Sequence, residues 1–326
     1  MISWLLDKIF FLIGAVFLLI LVAGVLAPLE SLGWYAGWSG KKKALRGLGE
    51  LDGKKPTADL APSAEMDLYV MYLSGIGIAS ADGLAKDELD FINSLQENIP
   101  GLKVITDVFP YSVNNNPLTG ERALSPLWKK LRQMQVENPS SWAATVLVLL
   151  RNMLQVVVSA DPRYGPIYSL GVAEEIARSL ANHGYRLGSH KPVYLVGYSG
   201  GGQVSVGSAT YVTAMLEAPV NVISLGGVIS DDAGISQVGK LHHYYGTKDP
   251  IQSLGQIMWT GRWLVMPQSD WNKTKARGKI RMTSLGAMTH LLSGSYFDIH
   301  TKFPDGKSYC QATADAVKDA ILETQT

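Results

Sequence analysis

From residue 67 onward, short apolar segments alternate with segments of helical periodicity, and this alternation constrains the fold more than any other feature. Strand-like runs cover 67–73, 102–108, 193–196, 220–225, 241–245 and 279–285, and helical spacing covers 85–97, 169–184, a stretch ending near 216, and 311–323. Strands that are separated by helices pair in parallel, and the helices cover both faces of the sheet. The sequence therefore predicts an α/β fold with a mostly parallel sheet flanked by helices.

The N-terminus carries an apolar run from Ile9 to Ala27 that contains no charged residue. About 19 residues at ~1.5 Å each reach about 28 Å, close to the ~30 Å hydrocarbon core of a bilayer. Trp34, Tyr35 and Trp38 follow the run, as aromatic residues do at headgroup level. A cleaved signal peptide would have a shorter apolar core after a positive start. We predict a retained N-terminal transmembrane helix within a membrane anchor over residues 1–39.

Positive charge is unequal on the two sides of this run. Only Lys8 precedes it, whereas six basic residues follow it: Lys41, Lys42, Lys43, Arg46, Lys54 and Lys55. The positive-inside rule then predicts that the rest of the protein lies on the cytoplasmic side. Residues 40–66 are rich in Gly, Lys, Pro and Ala and predict a basic linker that would also suit anionic headgroups.

Composition excludes several classes of function. The formal net charge is +1, so the chain as a whole lacks the basic surface that nucleic-acid binding requires. The one cysteine, Cys310, rules out an intrachain disulfide. The six histidines show no metal-ligand spacing, so a metal site is not indicated.

The strongest local signal is Gly197-Tyr198-Ser199-Gly200-Gly201, which follows an apolar strand and opens a helix. The bare G-x-S-x-G pattern is weak, but this context predicts a strained strand-to-helix turn that holds the serine hydroxyl above the sheet. Its glycines permit close packing, and the helix N-terminus favours developing negative charge. A glycine-rich phosphate-binding turn is the alternative interpretation.

A serine hydroxyl needs a base that takes its proton and an acid that orients the base. Asp249 follows the strand 241–245 at the carboxyl edge of the predicted sheet, with Asp231 and Asp232 as rivals. In this architecture the base follows the acid in the chain, which leaves His290 and His300. His290 comes shortly after the strand 279–285 and is our choice, so the predicted catalytic residues are Ser199, Asp249 and His290.

A tetrahedral oxyanion requires hydrogen-bond donors that are fixed before reaction. The backbone N–H of Gly200, next after the nucleophile, is one candidate. The loop Ser74–Gly77 after the first strand offers the second, with Ile76 preferred and Gly75 the neighbouring possibility. The alternative for this loop is a plain turn.

These motifs resemble the α/β-hydrolase superfamily over roughly residues 67–325. The resemblance implies Ser199 as nucleophile, Asp249 as acid, His290 as base, Gly200 and Ile76 as oxyanion donors, and no cofactor. Two departures stand out: Ser74-Gly75 replaces the common His-Gly, and residues 226–240 are too few for the usual lid. The first strands of the full-size fold also look missing or reduced.

Cover over the site is therefore expected from an insertion at 111–166 within the hydrolase domain, 67–326. This insertion holds a polar loop at Asn114–Pro117, a short helix near 127–134, and an apolar run over 142–158. Arg151 and Gln155 would lie on one face of a helix there, and Arg151 argues against a second membrane span. We predict a cap helix, with an ordinary core helix as the alternative.

Three functions fit this sequence. The first is a membrane-anchored, esterase-like or lipase-like serine hydrolase whose partners are the bilayer and a small-molecule or lipid ester. The second is a non-catalytic member of the fold that serves as a membrane-bound binding module. The third is an acyltransferase or peptidase that uses the same three residues.

Overall fold

The computed structural model describes residues 66–113, 115, 118, 130 and 142–325, with residues 11, 14, 28, 29 and 31–36 nearer the N-terminus. Six strands lie in this part of the chain: β1 Leu68–Leu73, β2 Leu102–Ile105, β3 Val193–Tyr198, β4 Val220–Leu225, β5 Leu241–Tyr245 and β6 Ile280–Ser284. Its helices are α1 Lys86–Asn98, α2 Trp142–Ala160, α3 Gly165–Asn182, α4 Gly200–Leu216, α5 Leu254–Met258, α6 Asp270–Ala276 and α7 Tyr309–Glu323.

The six strands form one sheet in the order β2-β1-β3-β4-β5-β6, and every neighbouring pair is parallel. This confirms the predicted α/β class with a parallel sheet. The second strand is shorter than predicted, because the chain after Ile105 bonds to a side chain instead of to the sheet. Asn115 accepts from the Phe109 N–H at 2.6 Å and donates to the Asp107 carbonyl at 2.9 Å.

Alternate residues of each inner strand enter two different cores, as the two-residue period of a strand requires. On β1, Tyr69, Met71 and Leu73 pack toward the face that carries α3 and α4. Leu68, Val70 and Tyr72 pack toward the face that carries α1 and α7. Both faces are therefore buried, which explains why these strands read as continuous apolar runs.

The strand order reverses between β1 and β3, because the chain passes from β1 outward to β2 and then returns to the other side. In open α/β sheets, ligands bind outside the carboxyl ends of the strands at such a reversal. The loop after β1 and the turn after β3 both lie at this point, and they contain Ile76 and Ser199.

Among the described residues, no single helix has both the length and the apolarity to cross a membrane. The predicted span at 9–27 falls almost entirely outside them, with only Phe11 and Gly14 described, both helical. Nearer the domain, Trp34 packs against the core on the α3 and α4 face, and Tyr35 is exposed. Apart from Met66, the predicted linker at 40–66 also lies outside the described residues. So do most of 114–141, including nearly all of the predicted helix near 127–134.

We expect Leu195→Ala to destabilise the fold by about 2–5 kcal/mol, because Leu195 is fully buried on the inner strand β3 and the truncation leaves a cavity. Leu322→Ala, at a half-exposed position near the end of α7, serves as the control and should change stability by less than about 0.5 kcal/mol. Urea unfolding of both variants checks this. Equal losses of stability would contradict the described core.

Candidate active site

Ser199 lies in a strained turn between β3 and α4. Its φ of +53° is unusual for a residue with a side chain, and strain of this kind costs about 1–3 kcal/mol. A Cβ at Gly201 would lie 2.1 Å from the Leu73 carbonyl oxygen, and one at Gly197 would lie 2.5 Å from the Gly201 carbonyl oxygen. Both outer glycines of the motif are therefore required for α4 to approach the sheet this closely.

The three predicted side chains meet above the carboxyl edge of the sheet. Ser199 Oγ lies 2.8 Å from His290 Nε2, and His290 Nδ1 lies 2.8 Å from Asp249 Oδ2. All three residues are buried, and Asp249 lies on the far side of the imidazole from the serine. The arrangement can pass a proton from the hydroxyl to the imidazole and stabilise the resulting imidazolium.

Tyr296 adds a hydrogen bond to the acid. Its hydroxyl donates to Asp249 Oδ2 at 2.6 Å and accepts the Gly246 N–H at 2.9 Å. The other carboxylate oxygen accepts backbone N–H groups of Ile251 and Gln252 at 2.9 and 3.3 Å. Burial by itself raises the pKa of Asp249, but its contacts with His290 and then Tyr296 more than offset this and hold that pKa below its usual value.

The imidazole of His290 is also fixed from the side and through its backbone. Tyr198 stacks on it with ring centroids 5.3 Å apart, and the Tyr198 hydroxyl donates to the His290 carbonyl. The following loop is held by Asp298, which accepts the Gly294 N–H at 2.5 Å. The base therefore has little freedom to leave the serine.

The loop after β1 lies against Ser199. A Cβ at Gly75 would lie 3.5 Å from Ser199 Cβ, and a Cβ at Gly200 would lie 2.8 Å from Ile76 Cγ2. The structure thus brings the two predicted oxyanion donors, Gly200 and Ile76, next to each other and to the serine.

Side chains from outside the loop hold its peptide groups. The Tyr111 hydroxyl donates to the Ser74 carbonyl at 2.7 Å, and Asn152 Nδ2 donates to the carbonyls of Ile76 and Ile78 at 2.8 and 2.6 Å. Arg151 donates to Asn152 Oδ1 at 3.0 Å. The Ile76 N–H belongs to the peptide group between Gly75 and Ile76, and the peptide groups on both sides of it are held through their carbonyls. Because peptide groups are planar, these bonds limit how far the Ile76 N–H can turn.

The rival acids have other partners. Asp232 accepts the Gly234 N–H at 2.7 Å and a bond from Gln203 at 3.2 Å, which holds the loop after β4. Asp231 lies against Gly261 and beside the buried Arg262. It is His290 that bonds to Ser199, while the backbone N–H of His300 donates to Asp298 at 2.7 Å.

A cavity of about 620 Å³ opens in front of Ser199 and His290. Its apolar wall comes from the loop after β1, from Leu149 of α2, and from Ile251, Leu291, Leu292 and Phe297. Leu149 places the apolar run of the predicted cap at the cavity, although α2 also packs on α3 and α4. Among the residues the structure describes, no group of three or more His, Cys, Asp or Glu side chains could hold a metal ion.

Sequence reasoning missed Tyr296, Tyr111 and the role of Asn152. Nothing in the sequence indicates the roles of the two tyrosines, because a buried tyrosine gives the same apolar pattern whether its hydroxyl bonds to a carboxylate or to a distant carbonyl. Asn152 carried a signal, since it belongs to the polar stripe of an otherwise apolar run. The polar stripe does not indicate that Asn152 bonds to the Ile78 carbonyl, 74 positions earlier in the chain.

We expect Tyr296→Phe to cost about 1.5–3 kcal/mol of stability at pH 7, because a hydrogen bond to a charged group is lost. The folded pKa of Asp249 is lowered, so the stability it contributes is present above its unfolded pKa of about 3.9 and is lost as pH falls through the folded value. The variant raises that folded pKa, so its deficit should be smaller at about pH 3, where the folded carboxyl begins to take up its proton, than at pH 7.

Urea unfolding at both pH values measures this difference, with Tyr35→Phe, an exposed tyrosine, as the matched control. A deficit that is the same at both pH values would show that the Tyr296 hydroxyl does not act through the carboxylate.

No protein-family model matches this chain, and no curated protein matches it. The interpretation of the site therefore depends on its own geometry.

Proposed function

We propose that this protein is a membrane-anchored serine hydrolase of the α/β-hydrolase type that cleaves an ester through Ser199, His290 and Asp249. The observation that carries the proposal is the pair of 2.8 Å contacts that link the three side chains in the order serine, histidine, aspartate. These residues are 91 and 41 positions apart in the chain, so local sequence does not bring them together.

In the first half of the reaction, His290 Nε2 accepts the hydroxyl proton as Ser199 Oγ attacks the ester carbonyl carbon. Asp249 holds the imidazole through Nδ1 and stabilises the imidazolium. The tetrahedral intermediate collapses, the bond to the alcohol breaks, and His290 donates its proton to the departing alkoxide. An acyl group is then bound to Ser199 Oγ.

In the second half, water takes the place of the alcohol. His290 accepts a proton from the water as the water oxygen attacks the acyl carbon. The second intermediate collapses with departure of Ser199 Oγ, which regains its proton from His290. The products are a carboxylic acid and the free enzyme.

The negative charge of each intermediate needs donors beside the serine. We propose the backbone N–H groups of Gly200 and Ile76 for this role, supported by their adjacency and by the clamped peptides around Ile76. The N-terminus of the 17-residue helix α4 adds a favourable field at the same point.

The cavity favours an uncharged ester with an apolar acyl group. Its wall is largely aliphatic and aromatic. Among the described residues its carboxyl groups are those of Asp87, Glu88 and Asp298, and no lysine or arginine lines it. Carboxyl groups in the lining without a basic partner there disfavour anionic substrates such as phosphate esters. A neutral ester that partitions into a bilayer would fit both this wall and the predicted N-terminal anchor.

We expect Ser199→Ala to abolish hydrolysis of a neutral p-nitrophenyl ester, because it removes the hydroxyl that bonds to His290 and would form the acyl intermediate. Asp249→Asn and His290→Gln should each lower kcat by at least ~10³-fold. The measurement is release of nitrophenolate by the full-length protein, with Ser236→Ala as a surface control that keeps wild-type activity.

Activity that survives Ser199→Ala would contradict the proposal. Wild-type protein that transfers the acyl group to an added amine but not to water would instead favour the acyltransferase alternative. Wild-type protein that is inert toward esters and amides would favour the non-catalytic one.

We expect Asn152→Leu to lower kcat about tenfold with little change in KM. Loss of a whole oxyanion donor costs about 10²–10³-fold, and this change loosens a donor without deleting it. Met153→Ala, at an exposed position on the same helix, is the control. A rise in KM with kcat unchanged would show that Asn152 shapes the cavity and does not position the donor.

A further inference from the structure

An exposed apolar connection between β5 and α6 covers residues 254–266, that is, the short helix α5 and the turn after it, and is called the apolar loop here. Its most exposed side chains are those of Leu264 and Val265, at 84% and 76%, followed by Ile257 and Met258. The loop contains no acidic residue, and its one charged side chain, Arg262, is buried against Trp271. Several large apolar side chains that face water in one segment mark an interaction surface.

The apolar loop is held firmly in this exposed position. Asn272 Nδ2 lies within hydrogen-bond distance of the carbonyls of Gly261, Trp263 and Met266, at 3.2, 2.8 and 3.0 Å. The Trp263 indole N–H donates to the Gln256 carbonyl at 2.7 Å. These bonds fix the backbone of the apolar loop, so its apolar side chains point into solvent instead of packing on the core.

The apolar loop lies at the same edge of the sheet as Ser199. Because β5 and β6 are parallel, their connection starts at the carboxyl edge and must return to the amino edge, and α6 makes the return. Ile251, at the start of this connection, lines the cavity in front of Ser199. Leu291 and Leu292, in the loop after β6, line the same cavity and are also exposed.

Exposed positive charge lies beside the apolar loop. Lys273, Lys275 and Arg277 are exposed on α6 and directly after it, within one or two turns of the Asn272 clamp. The neighbouring acids Asp231, Asp232 and Asp270 are half-buried. Asp231 also lies against Gly261 and faces Arg262. Apolar side chains next to basic ones are the combination that binds an anionic lipid surface.

We propose that the apolar loop docks onto a bilayer that contains anionic lipids, with Leu264 and Val265 inserted at the level of the acyl chains. A second copy of the protein fits less well, because a two-fold contact through this loop would bring two sets of Lys273, Lys275 and Arg277 together. The predicted span at 9–27 would keep a bilayer within reach. The proposal concerns binding alone and does not depend on the hydrolase activity.

The test uses the full-length Ser199→Ala protein, so that no turnover intervenes. Leu264→Cys is labelled with an environment-sensitive fluorophore, and the buried Cys310 stays unlabelled. Leu322→Cys, near the end of α7 at the amino edge of the sheet, is the matched control, and Val265→Cys replaces Leu264→Cys if that variant fails to fold. Each protein is reconstituted into phosphatidylcholine vesicles with or without phosphatidylserine, and with acyl-chain-brominated lipid as quencher.

We expect the label at 264 to shift to the blue and to be quenched in vesicles with phosphatidylserine, while the label at 322 is unaffected. Lys273→Glu, Lys275→Glu and Arg277→Glu together should abolish both effects. A label at 264 that behaves as in water would overturn the proposal, as would equal quenching at 264 and 322. Disulfide cross-linking between two unlabelled Leu264→Cys chains would overturn it in favour of a dimer.

Discussion

The close approach of helix α4 to the sheet is the contact on which the site depends. Gly201 packs against the Leu73 carbonyl, and the helix begins directly after Ser199. A side chain at Gly201 would push α4 away from β1, and the same movement would separate Gly200 from Ile76. Strain at Ser199 is therefore maintained by packing of the surrounding helix and strands, as expected where a turn serves chemistry.

Buried hydrogen bonds then join loops that come from distant parts of the chain. Tyr296 links the loop after β6 to Asp249, Tyr198 links the turn before α4 to His290, and Asn152 links α2 to the loop after β1. In a low-dielectric interior a buried polar group that is fully bonded restrains its neighbours strongly, whereas an unbonded one is costly. The geometry of the serine, histidine and aspartate is thus held by a second set of residues that do not themselves react.

Much of the fold was predictable from the sequence. The strands Leu68–Leu73, Val193–Tyr198 and Val220–Leu225 are buried on both faces. Their apolar runs, separated by helical segments, indicated a parallel sheet from the sequence. The positions of Ser199, Asp249 and His290 were also predictable, because each follows directly from the end of a strand or from a short loop after it. In such a sheet those ends converge on one edge.

The supporting contacts were not predictable, for a physical reason. The bonds of Tyr296, Tyr111 and Asn152 join residues 37 to 76 positions apart, and their partners are backbone carbonyls or a carboxylate that any loop could offer. Periodicity reports which face of an element is buried, but it carries no information on which distant loop meets that face. The exposed apolar loop at 254–266 was likewise hidden, since its composition resembles that of a core segment.

In the proposed mechanism, Ser199 is a nucleophile that His290 activates. Treatment of the full-length protein with a fluorophosphonate, followed by peptide mapping, tests it most directly. We expect one covalent adduct, on the peptide that contains Ser199, formed at a rate that falls sharply in His290→Gln. An unlabelled Ser199 in folded wild-type protein, or labelling whose rate is indifferent to His290, would contradict it.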